Sequence, residues 1–80
     1  MKIRRVGVDL AKNVLHVHGV DRQEMVVWRR QLRRASWLKV LLEKVVPGCE
    51  IGMEACAGAH HWARKLQAHG MVVKLMAPQL

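Results

Sequence analysis

Over roughly the first thirty residues the hydrophobic and polar positions keep the short period of extended chain. Ile3 to Asp9 is rich in Val and Ile and predicts a first strand. Lys12-Asn13 turns the chain into Val14–Val20, a second strand, and the polar stretch Asp21 to Glu24 turns it again into a third, Met25 to Leu32. The period lengthens at Ser36, a candidate helix N-cap. Leu38, Leu41, Leu42 and Val45 then follow i, i+3, i+4, i+7 spacing, which gives one apolar helix face, and Pro47-Gly48 ends it. Glu50 to Met53 predicts a short fourth strand leading into Glu54. A second helix opens near Gly58, with Ala59, Trp62, Ala63 and Leu66 at helical spacing and Gly70 in the C′ position. Met71 to Met76 makes a fifth strand, closed by Ala77-Pro78.

This order, βββαβαβ, constrains the packing. A meander followed by right-handed crossovers gives strand order 3-2-1-4-5, with the first, fourth and fifth strands parallel. Both crossovers run the same way across the sheet, so both helices cover one face. The other face is then uncovered within these residues, and an open sheet face is a candidate for self-association.

Eighty residues make at most one small domain. With 51% hydrophobic residues the chain is no disordered tail. Charge adds a direction: 14 Lys and Arg against 6 Asp and Glu, a formal +8, favour phosphate-rich partners or anionic membranes. No run approaches the length of a membrane span, and Asp9 interrupts the only apolar stretch near the start. Cys49 and Cys56 lack metal or redox spacing and read as reduced thiols, in keeping with a cytoplasmic protein, with a disulfide between them as the second alternative.

Asp9 and Glu54 carry the sharpest chemistry. In the expected order their strands are parallel neighbours, about 4.8 Å apart, and both residues sit at C-terminal strand ends, where ligand sites of α/β sheets collect. Two carboxylates there suit Mg²⁺ or Mn²⁺, hard ions that take oxygen ligands and support phosphodiester chemistry. Topology alone leaves a second reading equally open, in which Asp9 caps a turn and Glu54 is simply solvated.

The wording of the chain favours the first. V-G-V-D-L-A-K-N, then V-H-G-V-D, R-R-Q-L-R-R-A, I-G-M-E-A-C-A-G-A-H-H-W-A-R and V-K-L-M-A-P-Q follow one another in order. Together they resemble the N-terminal region of the DEDD transposases of bacterial insertion sequences, relatives of the pilin-gene invertase whose catalytic domain is similar to the RuvC resolvase. The resemblance runs over essentially all 80 residues. It implies an RNase H-like fold, truncated before its C-terminal helix, with residues 1–80 as a single partial domain. It also implies that Asp9 and Glu54 are the first two catalytic, metal-binding carboxylates, that DNA is the partner, and that an element-encoded structured RNA is a further one. The family's other two aspartates lie on a helix beyond the strand ending at Met76, and its nucleophilic serine lies in a second domain. Neither has a counterpart here, so the resemblance implies a piece that does not catalyse alone.

Arg29, Arg30, Arg33 and Arg34 place four guanidinium groups within six residues. Such a cluster can track a phosphate backbone, with Trp28 available for stacking, although edge strands also carry positive charge to prevent edge pairing. His16 and His18 alternate with apolar neighbours and share a sheet face. With His60 and His61 they match no zinc spacing. Two other function classes remain. One is a non-catalytic nucleic-acid-binding remnant. The other is an actin-like or sugar-kinase ATPase fragment, against which stands a first turn, Leu10-Ala11-Lys12-Asn13, without the Gly and Ser or Thr that phosphate binding wants.

Overall fold

The computed structural model describes residues 2–56 and 58–77. Its elements are β1 (Arg5–Leu10), β2 (Val14–Val20), β3 (Val26–Arg33), α1 (Trp37–Lys44), β4 (Glu50–Glu54), α2 (Ala59–Ala68) and β5 (Val72–Met76). They form one five-stranded sheet in the order β3-β2-β1-β4-β5. β1 pairs antiparallel with β2 and parallel with β4, and β5 extends the parallel half. Element order and strand order therefore match the expectation. Pro78, expected to close β5, lies outside the described residues.

Alternation along the strands sorts the sheet into two unlike faces. Val6, Val8, Leu15, Val17, Leu32, Ile51 and Met53 are buried, while the residues between them are not. The helices contribute Trp37, Leu41, Ala59 and Leu66 to the same core cluster. Both helices thus cover one face, as the crossover rule requires. Trp37 was not among the expected α1 face positions, yet it is fully buried and meets Trp62 edge to face, with ring centroids 5.1 Å apart. Trp28 is partly buried and packs against this core.

The turns use the residues that their backbone geometry demands. The Asp21 carboxylate accepts hydrogen bonds from the amides of Gln23 and Met25 at 2.9 and 3.0 Å, holding the β2–β3 turn in which Glu24 takes φ +63. Ser36 is the residue before α1, but its side chain makes no capping bond. α2 ends in a Schellman arrangement: Met71 N–H donates to the Leu66 carbonyl and Gly70 N–H to that of Gln67, with Gly70 at φ +86.

Gly19 is buried opposite Val6, and a Cβ there would lie 2.8 Å from the Ile3 side chain, itself buried. Gly19→Ala is expected to destabilise the chain by about 1–3 kcal/mol through overpacking. Urea unfolding followed by circular dichroism measures this, and an unchanged midpoint would mean that Ile3 moves aside freely. No helix among the described residues is long and apolar enough to cross a membrane.

Candidate nucleic-acid and metal edge

The ladder between β1 and β4 pairs Arg5 with Glu50, Gly7 with Gly52, and Val8 with Met53. One step further along both strands stand Asp9 and Glu54. Both are exposed, and both share the parity of Arg5 and Glu50, which face the side away from the helices. Arg5 Nε donates to Glu50 Oε1 at 3.1 Å, so the two share a face, and burial of the alternate residues Val6, Val8, Ile51 and Met53 under the helices makes it the open one. Beyond Glu54 the chain stays tied to the sheet, with Ala55 N–H donating to the Met76 carbonyl at 2.7 Å. The two carboxylates are thus neighbours at the C-terminal edge of the parallel half.

His16 pairs directly with Asp9 from β2, and Gln31 pairs with His16 from β3. A row Gln31–His16–Asp9–Glu54–Met76 therefore crosses this edge of the open face. The alternation of His16 and His18 was legible in the sequence, but the neighbour of His16 depended on strand register. One row below lie Arg29, His18, Gly7, Gly52 and Lys74. Here the His18 imidazole occupies the space above Gly7, where an added Cβ would lie 2.5 Å from the ring. The next row holds an ion-pair chain: Arg5 bridges Glu24 at 2.8 Å and Glu50 at 3.1 Å, and Lys74 reaches Glu50 at 3.6 Å. These groups are a third to two-thirds exposed, so the chain contributes little stability.

Among the described residues no three His, Cys, Asp or Glu side chains converge to form a metal cluster. Asp9 and Glu54 nonetheless fit part of a Mg²⁺ or Mn²⁺ site. Such ions are often held by one or two carboxylates, with water and phosphate oxygens completing the shell. The open face above them carries no helix among the described residues, and exposed Val72 and Met76 line its β5 side.

The four arginines do not form one surface. Arg29 and Arg33 lie on the open face with His18 and Val14, whereas Arg30 pairs with buried Val17 and takes the opposite parity. Arg34 is engaged elsewhere: its Nε and Nη2 donate to the carbonyls of Lys12 and Ala11 at 3.0 and 3.2 Å. It braces the turn that follows Asp9. A shallow hollow of about 330 Å³ lies beside His16, His18, Arg29 and Gln31.

Both cysteines are free, one buried and one exposed. Burial, and then the neighbouring charge of Glu50, push the Cys49 thiol above its ordinary pKa. Its Sγ–H donates to the Arg4 carbonyl at 3.3 Å, which also favours the protonated form. A thiol-labelling reagent at neutral pH is therefore expected to modify Cys56 quickly and Cys49 only on unfolding. Mass mapping of the labelled peptides reads this directly, and comparable rates at both positions would contradict it.

No protein-family model matches the chain, and no solved structure does. It is 52% identical over 79 residues to a probable family 20 transposase of Pseudomonas aeruginosa, an alignment covering 99% of this chain and 23% of that protein. It is 46% identical over 79 residues to a putative transposase of Sinorhizobium fredii, covering 99% and 20% respectively. With the transposase for insertion sequence element IS1111A of Coxiella burnetii it shares 38% over 77 residues, covering 96% and 21%. The chain thus spans between a fifth and a quarter of the length of these curated relatives. Over nearly all its residues, the chain is homologous to a stretch of insertion-sequence transposases.

Proposed function

We propose that this chain supplies the first half of a metal-dependent phosphodiester site, within an RNase H-like, RuvC-like catalytic domain of a DNA transposase. The observation that carries the reading is the register of β1 and β4, which brings Asp9 and Glu54 together on the open face at one edge of the sheet. Asp9 and Glu54 would hold Mg²⁺ or Mn²⁺, an ion that activates the attacking oxygen and steadies the leaving one. His16, opposite Asp9, stands where it can meet a phosphate oxygen. Arg29 and Arg33 extend positive charge along the edge strand of the same face and suit a DNA backbone. Arg34 acts through the turn next to Asp9, and Arg30 serves the other face. A structured RNA partner, a cytoplasmic location and self-association through the open face belong to this reading as further parts of it.

A titration of the 80-residue chain with Mn²⁺ tests it. Paramagnetic broadening of amide resonances is expected to start at Asp9, Leu10, Glu54 and Ala55, and to vanish in the Asp9→Asn variant. Broadening centred elsewhere, or retained in that variant, would remove these two residues as ligands. Exposed Arg29 and Arg33 on the open face also suit a second reading, a nucleic-acid-binding piece without chemistry of its own. Salt-sensitive DNA binding with no Mn²⁺ effect at this edge would select it.

A further inference from the structure

At the opposite ends of β1 and β4 the molecule has a second concave feature, a cleft of about 600 Å³. Three segments distant in sequence build it: residues 2–5 leading into β1, the β2–β3 turn at Asp21–Gln23, and the α1–β4 turn from Val46 to Glu50. Four cations and two carboxylates line it. The carboxylates are already engaged, Asp21 by the amides of its own turn and Glu50 by Arg5 and Lys74. Arg5 is likewise taken, between Glu24 and Glu50. Lys2, Arg4 and Arg22 remain. All three are exposed, and none forms a salt bridge among the described residues.

We propose that this cleft is a nucleic-acid backbone site, in which Lys2, Arg4 and Arg22 hold successive phosphates. The proposal rests on the nucleic-acid reading above but involves none of its residues. Three cations without an ion-pair partner among the described residues, on two separate segments, suit an extended polyanion better than a single phosphate ion. The site is also distinct from the carboxylate edge, since Arg5 and Asp9 are four strand residues apart, about 13 Å. A protein that contacts nucleic acid at both places gains positioning from the cleft and chemistry from the edge, because phosphate contacts orient a duplex without reading its sequence.

The test is a salt titration of duplex DNA binding by the 80-residue chain, its triple variant Lys2→Ala/Arg4→Ala/Arg22→Ala, and the pair Arg29→Ala/Arg33→Ala. Each lost phosphate contact lowers the slope of log affinity against log salt by about 0.9, so the triple variant is expected to be shallower by about two to three units. Its affinity should fall roughly tenfold or more near 0.1 M salt, equally for unrelated sequences. The charge-keeping variant Lys2→Arg/Arg4→Lys/Arg22→Lys should retain the wild-type slope. All these side chains are exposed, so an unchanged melting curve accompanies each result. An unaltered slope in the triple variant, with a loss confined to the Arg29/Arg33 pair, overturns the cleft while leaving the nucleic-acid reading in place. No binding by the wild-type chain at low salt overturns both. Poly-glutamate competing as well as DNA at equal charge reassigns the cleft to acidic protein segments.

Discussion

In a transposase carrying this stretch, Asp9→Asn or Glu54→Gln is expected to reduce strand exchange by at least about a hundredfold while leaving the fold intact. Each substitution keeps the shape of the side chain and removes only its charge. Both positions are exposed at strand ends, outside the core, so neither change disturbs packing. A transition state that spreads negative charge over phosphate oxygens depends on the cation beside it, and removing even one stabilising group at such a centre typically costs about 10²–10³ in rate. If the two carboxylates hold one ion, as proposed, they act as a unit, so the double variant should be little worse than either single one. Recombination assays alongside thermal melts separate the outcomes. Full activity in either variant would mean that its carboxylate is only solvated, the alternative that topology alone left open.

Trp37→Ala is expected to have the largest effect on stability. Trp37 is completely buried and packs against Trp62 beneath the sheet. Truncating a buried Trp costs about 3–5 kcal/mol, against a total of roughly 4–12 kcal/mol for a chain of this length. The isolated protein should lose its cooperative melt or shift it down by more than about 20 °C. Trp37→Phe supplies the contrast. The Trp37 indole N–H is buried without an acceptor among the described residues, and Phe removes that donor while keeping most of the ring. Its loss should therefore be well under half that of the Ala variant. Denaturant unfolding with far-UV circular dichroism measures both, and equal losses would show that ring volume does not decide the difference.

The residues that could be read correctly from the sequence are those governed by local period. Leu41 and Val45 follow the helical repeat and are buried, and Val6 and Val8 follow the strand repeat into the core. Trp37 gives no such signal, because it directly follows the candidate cap Ser36 and falls before the first position of the repeat that marks the apolar face. The arginine run misled for a related reason. Read linearly it is one patch, but strand alternation sends Arg29 and Arg30 to opposite faces, and the first turn recruits Arg34 through backbone carbonyls. Asp9 and Glu54 could be placed together because strand order alone makes them neighbours. The pairing of His16 with Asp9 needed the register of β2, and the cleft at the other pole needed three distant segments. Neither leaves a signal in any short window.

The pairing of β1 has a consequence for how the chain is made. β1 joins β2 across a turn of three residues, yet its other partner, β4, lies 45 residues further along at Arg5–Glu50. During synthesis the three-stranded meander can close as soon as its strands emerge, because local pairings form ahead of distant ones. Val6, Val8, Leu15 and Val17 must then wait, unshielded, until both helices arrive. For that interval the nascent sheet presents an apolar surface and an unpaired β1 edge, the features that recruit chaperones or neighbouring chains. Slowing translation after β3 is expected to lower the soluble yield more than slowing it after α2.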